Sequence, residues 1–483
     1  MLFNSVPFLI FFAVVTTLFF AVPQKVKKYV LLAASYVFYM WWNPQLILLI
    51  LFTTLVSYGA CLLMARYPDR KKAFLALAAV AIFAVLFFFK YYNFAAGGVA
   101  ALLHAVTGRP FSFELNILLP VGISFYTFQT FAYVADVYRG KIEAEKNIVY
   151  YALFISFFPQ LLAGPIERPG DLLPQLKAEH RFDAGNAVAG ARMMVIGFFE
   201  KIAVADVIGQ LVNRVYEDIG TANGMEVAVA TCLFSAQILC DFKGYSDIAK
   251  GMARIYGITL SDNFDHPYRA ASIKDFWNRW HITLSTWFRD YVYFPLGGSR
   301  VPLARWCLNI LIVFLLSGLW HGADLTFVLW GLLLALYRIG ERLVTRNKKA
   351  PERGPAMWAR RVLTFVLIAL AWVLFRSNSM GEALIAYRAL FTGWHFSAAY
   401  VTGVWRYFDL SVLRAAFCGG ALLLLAFHER WAAFLSRPRE RAAGVWSRIG
   451  KTALYTVMIW MTVGSFIYLN AADVASSFIY FQF

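Results

Sequence analysis

The sequence is short of charge, and shortest of negative charge. Only 15% of its 483 residues are Asp, Glu, Lys or Arg, and 45 Lys and Arg stand against 28 Asp and Glu, a formal charge of +17. With 60% of the residues hydrophobic, too few polar side chains remain to cover a soluble globule of this length. The chain therefore reads as an integral membrane protein. Its five cysteines, Cys61, Cys232, Cys240, Cys307 and Cys418, lie mostly inside apolar runs and form no CxxC pair, so they read as small core hydrophobes rather than disulfides or zinc ligands. HExxH, GxSxG, Walker A and dinucleotide glycine patterns are all missing, which argues against a metalloprotease, a serine hydrolase, a P-loop ATPase and a Rossmann oxidoreductase. No internal repeat or low-complexity stretch is evident.

What is present is a succession of apolar segments, from Leu2–Val22 to Leu454–Leu469. Several are shorter than the roughly 20 residues of a perpendicular crossing, so tilted, re-entrant or protein-shielded pieces are expected among about 11 true crossings. The positive charge collects between spans, in residues 23–28, 66–72, 139–146, 341–361 and 428–451. An even number of crossings separates these loops, so all can be cytoplasmic, with both termini on the other side, the periplasm of a Gram-negative cell. That topological meaning is preferred over a nucleic-acid surface, and no nucleic-acid partner is expected. Met1–Val22 lacks a basic n-region and a small-residue cleavage pattern, and reads as a retained first helix. The expected fold is all-α and polytopic, one membrane domain over residues 1–483.

Seven histidines are few for such a chain, and one of them, His321, sits in LLSGLWHGAD with apolar sequence on both sides. Trp306–Leu319 rises about 21 Å if helical, against about 30 Å of hydrocarbon, so His321 is expected at membrane depth. An ionisable group there needs partners or a wet cavity, which makes it a functional candidate. Gly318 and Gly322 leave room for a substrate or for close helix approach. The competing reading is a histidine that bonds a neighbouring backbone carbonyl as helix–helix glue. Ser317 and His321 could imitate a nucleophile and base, but no orienting third group is legible, and His321 with Asp324 is too little to propose zinc. A transfer in which the imidazole takes the proton of an attacking hydroxyl is simpler.

The second histidine, His281, lies in KDFWNRWHITLSTWFRDYVYFPLGGSR, residues 274–300. The pattern predicts a helix from Ile273 with Ser272 as N-cap, a capping box closed by Asp275, an Asp275–Arg279 pair, and Trp277, His281, Leu284 and Phe288 on one face. An interfacial histidine without chemistry is the plain alternative. CDFKGYSDIAKGMARIYG, residues 240–257, reads as an ion network with Asp247 paired to Lys250, and FPQLLAGPIERPGDLLPQL, residues 158–176, as a rigid corner in which Glu167 and Arg168 form an internal pair or a portal wall.

Taken together, PVGISFYTFQTFAYVADVYRG, FFPQLLAGPIERP, DFKGYSDIAKG, NFDHPYRAASIKDFWNRWHITLSTWFRDYVYFPLGG and LSGLWHGAD resemble the membrane-bound O-acyltransferase family, within it the branch that O-acetylates exopolysaccharides such as alginate. The resemblance runs over nearly the whole chain, including the closing FIYFQF. It implies that His321 is the catalytic histidine and that His281 is the second characteristic polar position. It implies, too, a ring of tilted helices with re-entrant and interfacial pieces around a central, two-sided funnel. The expected donor is a cytoplasmic thioester, acetyl-CoA or an acylated carrier, with no permanently bound cofactor and no metal. Ser317, Asn309, Trp320, Asp324, Trp280 and Ser285 are candidates for placing the substrate or the oxyanion. The expected partners are the lipid bilayer of the inner membrane, a periplasmic acetyltransferase and exopolysaccharide machinery. A D-alanyl or other transferase fed by an acylated carrier protein is the alternative within the class; a polysaccharide or lipid transporter is the alternative outside it.

Overall fold

A computed structural model describes residues 1–345, 353–395, 397–408, 411–426, 445–471 and 478–479. Parts of the basic loops expected at 341–361 and 428–451, the end of the apolar segment 413–427, and the last four residues of FIYFQF lie outside the described residues. Among the described residues the structure is helical without strands. Among these residues six helices are long and apolar enough to cross a membrane: Pro44–Arg66, Pro68–Thr107, Gly224–Ile255, Leu303–His321, Pro355–Arg376 and Ile449–Ala471. Their outward faces are apolar, as in Pro68–Thr107, where Leu77 and Val80 are exposed while Ala78 and Ile82 are fully buried. A surface of that kind is at home in lipid and not in water.

Other apolar segments are cut shorter than their composition suggests. Within 115–138 the helix starts only at Ile123, because Gly122 turns the chain at φ 77° directly against the Leu161 carbonyl, where a Cβ would stand 2.9 Å from the oxygen. Within 148–162, Asn147 caps a nine-residue helix, Ile148–Ser156, which Phe157 breaks ahead of Pro159.

The chain divides into two compact units. The first holds Met1–Ala191 with Ala249–Arg361; the second holds Arg192–Ile248 with the described residues after Arg361. In the first unit the helices Leu303–His321 and Leu325–Thr345 form a tight hairpin. A Cβ on Gly318 would come within 2.3 Å of the Phe327 carbonyl oxygen, and one on Gly331 within 2.3 Å of the Phe314 oxygen, so glycine on each helix admits the backbone of the other. Asp324 Oδ1 accepts from the Thr326 amide at 2.8 Å and starts the second arm.

The second unit contains a buried ion network. Lys201, in a π-helical stretch, Phe199–Asp206, donates to Asp206 at 2.7 Å and to Asp241 at 2.5 Å. Lys243 bridges Glu200 at 2.8 Å and Asp247 at 2.6 Å. Asp247 thus pairs with the lysine one turn before it, at i,i+4. In the first unit Lys250 pairs with Asp262. Asp241 also accepts from the Ile479 amide at 2.8 Å, while the Phe478 ring packs 4.9 Å from that of Tyr245, which ties the described part of the closing motif to this unit.

Candidate functional site

The hairpin delivers His321 as the last residue of its helix. The ring is buried, 3% exposed, with Trp320 and Trp330 packed edge-on at 4.9 Å and 5.1 Å between centroids. His281, 1% exposed, stands with its ring 6.5 Å from that of His321. Trp320 lies 5.7 Å from His281 and 5.1 Å from Phe125, so it closes one side of the imidazole pair.

His281 arrives by a route the apolar pattern did not predict. The expected helix from Ile273 ends at Arg279, Trp280 is extended, and His281 adopts φ 42°, ψ 56°, before a second helix starts at Ile282. Left-handed backbone is uncommon outside glycine and persists where surroundings over-determine it. Here Asn263 does so: its carbonyl accepts from the Ile282 amide at 2.9 Å, and its side-chain oxygen accepts from Thr283 Oγ1 at 2.6 Å. No glycine or proline marks the break, since its cause is a loop brought from elsewhere. Trp277, His281, Leu284 and Phe288 consequently share no single helical face.

The local cap is as read from the sequence, with one correction. Ser272 accepts from the Asp275 amide at 3.0 Å and Asp275 pairs with Arg279 at 2.9 Å, but the Asp275 carboxylate reaches the Ala271 amide at 3.4 Å. The orphan amides of Ile273 and Lys274 go to Glu341 of the hairpin, at 2.6 Å and 3.2 Å, which fixes this short helix against the long one. Glu167 and Arg168 do not pair with each other. Arg168 reaches Asp290 at 2.7 Å, and buried Glu167 accepts from the amide and hydroxyl of Ser261 at 2.6 Å and 3.0 Å. Burial pushes the Glu167 carboxyl up to about 7 against those two hydrogen bonds.

A cavity of about 500 Å³ runs alongside, lined by Trp277, Ile282, Ser285, Phe314 and Ser317 among others. Ser317 in its wall stands one turn before His321 on the same helix face, while His281 and His321 themselves are not among its lining residues. A second cavity, of about 820 Å³, shares Lys274, Asn278, Tyr293, Trp306 and Arg338 with the first and adds Arg342 and Arg360 at its wall. The Arg342 guanidinium lies 3.9 Å from the Trp306 ring centre, and Trp306 donates to the Tyr293 hydroxyl at 3.0 Å.

Of the remaining sequence candidates, Ser285 and Ser317 line the first cavity, and Ser285 also donates to the Trp280 carbonyl at 3.2 Å. Trp280 packs on Phe276 and Phe264 at 5.5 Å and 5.1 Å. Asp324 serves as the helix cap described above. Asn309 is not brought to His321: it lies three turns away on the helix, and its Nδ2 donates to the carbonyls of Leu296 and Gly298 at 3.1 Å and 3.2 Å. With both amide hydrogens committed there, it has none left for an oxyanion. Sequence reasoning missed Lys90 and Tyr91, which reach the end of the His321 helix; the signal was a lone lysine in FFFKYY within an apolar run.

These features define a multi-pass helical membrane protein with two imidazoles buried beside a cavity whose mouth is basic. Among the described residues no group of three or more His, Cys, Asp or Glu is placed to hold a metal ion. The model of the membrane-bound O-acyltransferase family matches residues 142–381. Over 417 residues the chain is 34% identical to a probable alginate O-acetylase of Pseudomonas putida, covering 83% of this chain and 82% of that one. It is 34% identical to a peptidoglycan O-acetyltransferase of Helicobacter pylori, over 65% of this chain and 64% of the relative. It is 28% identical to a teichoic acid D-alanyltransferase of Bacillus subtilis, over 54% of this chain and 69% of the relative. The chain belongs to the membrane-bound O-acyltransferase family and is an O-acyltransferase.

Proposed function

We propose that this protein, acting as one domain in the bacterial inner membrane, moves an acetyl group from a thioester donor to a hydroxyl acceptor in the O-acetylation of an exopolysaccharide of the alginate kind. The observation that carries this reading is the pair of buried imidazoles with ring centres 6.5 Å apart, one turn beyond Ser317 in the wall of a cavity. The similarity to a probable alginate O-acetylase over four-fifths of both chains supports the acceptor class.

The donor, acetyl-CoA or an acylated carrier, enters through the basic mouth, where Lys274, Arg338 and Arg342 suit a phosphate-bearing thioester. The positive charge of the basic loops supports a cytoplasmic side for this mouth and a periplasmic side for both termini. His321 takes the proton of the acceptor hydroxyl as its oxygen attacks the thioester carbonyl. Ser317 donates to the oxyanion in place of Asn309. The carbon–sulfur bond then breaks, the thiolate leaves, and the imidazole returns its proton. His281, held by its left-handed turn, aligns the donor, and Trp320 keeps the two rings apart. Trp277 and Phe314, 5.4 Å apart, narrow the way past Ser317 and limit competing hydrolysis by water. The acetyl group passes to a periplasmic partner acetyltransferase, which hands it to the polymer.

Reconstituted protein with labelled acetyl-CoA and candidate acceptors tests this directly. Wild type transfers label, and His321→Ala at equal folded protein does not. Undiminished transfer by His321→Ala would remove the catalytic assignment. Transfer only from an acylated carrier protein would make that carrier, and not acetyl-CoA, the donor.

A further inference from the structure

Past the Gly322 amide, which donates to Gly318 O at 3.2 Å, the His321 helix leaves the carbonyls of Leu319, Trp320 and His321 with no acceptor role inside the helix. Trp320 and His321 are buried, and a buried unsatisfied carbonyl is costly. Two consecutive residues of another helix take all three. Lys90 Nζ donates to Trp320 O at 2.7 Å and to His321 O at 3.1 Å, and Tyr91 OH donates to Leu319 O at 2.9 Å.

The local geometry of those two residues is unusual. Pro68–Thr107 is interrupted by a π-helical stretch, Phe87–Tyr91, whose last two residues are Lys90 and Tyr91. A π turn takes more residues per revolution than an α turn, so consecutive side chains diverge less and both can reach one helix end. Such turns occur often at functional sites. A lysine in an otherwise apolar helix is itself expensive unless it is paired, and here its partners are the backbone oxygens of the candidate base, His321, and of its neighbour Trp320. Gly322, extended at φ −159°, places no side chain beyond the helix end, so the last peptide is held by the Gly318 carbonyl on its N–H and by Lys90 on its oxygen.

We infer that Lys90, with Tyr91, is a positioning residue for acyl transfer: by holding the carbonyls of residues 319–321 it sets where the His321 imidazole stands relative to the donor. This rests on the acyl-transfer reading above. Lys90 acts through His321 and does not touch the reacting atoms. A shift of about 1 Å in a reacting group costs about a hundredfold in rate, which sets the size of the expected effect.

The test compares wild type, Lys90→Met, Lys90→Arg, Tyr91→Phe and His321→Ala, purified in detergent, matched for folded protein by gel filtration and assayed with labelled acetyl-CoA. For Lys90→Met the expected result is kcat lower by about a hundredfold with the donor KM little changed. Lys90→Arg, which keeps a cationic donor, recovers most of kcat, and Tyr91→Phe loses about fivefold, the worth of one neutral hydrogen bond. A general structural defect would lower the folded yield and move KM together with kcat. Folded Lys90→Met with wild-type kcat, or a loss that arginine does not repair, overturns the inference. If the methionine variant does not fold, Tyr91→Phe decides: kcat lowered at constant KM supports the inference, and unchanged kcat overturns it. Failure of the acyl-transfer reading looks different, because then wild type is inactive or His321→Ala is as active as wild type.

Discussion

Replacing Gly318 by alanine puts a methyl group where the Phe327 carbonyl oxygen already stands, 2.3 Å from the new Cβ. An ordinary carbon–oxygen contact is about 3.3 Å, so the two arms of the hairpin must part by about 1 Å. The obstacle is backbone and cannot rotate away. Overpacking of this kind costs about 1–3 kcal/mol, and here the upper end is expected, because Gly331 meets Phe314 O in the same way and both contacts are lost together. His321 is three residues further on, so the same separation displaces the imidazole and lowers transfer by about a hundredfold. Gly322→Ala provides the contrast. Its Cβ would meet the Phe327 ring at 2.2 Å, an obstacle made of side chain. Phe327→Ala should therefore restore Gly322→Ala and fail to restore Gly318→Ala. Thermal unfolding in detergent and labelled acetyl transfer, measured on the three single and two double variants, read both consequences. A Gly318→Ala protein with wild-type unfolding and activity, or one repaired by Phe327→Ala, would refute the argument.

Two further outcomes follow from side chains away from the imidazoles. Glu167 has its folded carboxyl raised from 4.5 to about 7, so the folded state binds more protons than the unfolded one between those values. Its contribution is full below pH 4.5 and is lost as pH rises through 7, a change on the order of 3 kcal/mol. Glu167→Gln keeps an acceptor for the Ser261 amide, offers its NH2 to the Ser261 hydroxyl oxygen, and should flatten this part of the stability–pH curve in detergent; an unchanged slope would show that Glu167 does not titrate there. Asn309→Ala strands the Leu296 and Gly298 carbonyls and should cost about 2 kcal/mol in unfolding experiments. A variant that unfolds like wild type but transfers slowly would restore Asn309 to the chemistry.

The sequence by itself determined the solvent and singled out the polar centre. Too few charges, apolar runs throughout and a histidine between glycines point to a helical membrane protein with His321 at its heart, because those signals are local and survive in one dimension. Ser272 as a helix cap and the Asp275–Arg279 pair were legible for the same reason, being contacts within one turn. Only tertiary structure decided how His281 reaches His321: the left-handed turn at His281 is imposed by Asn263, eighteen residues earlier in the chain, and leaves no glycine or proline to read. Partners chosen across space were equally invisible, including Glu200 for Lys243, Ser261 for Glu167, and Lys90 for the carbonyl of His321. Periodicity records which face of a helix avoids water. It does not record which other helix ends there, and the site is made of such meetings.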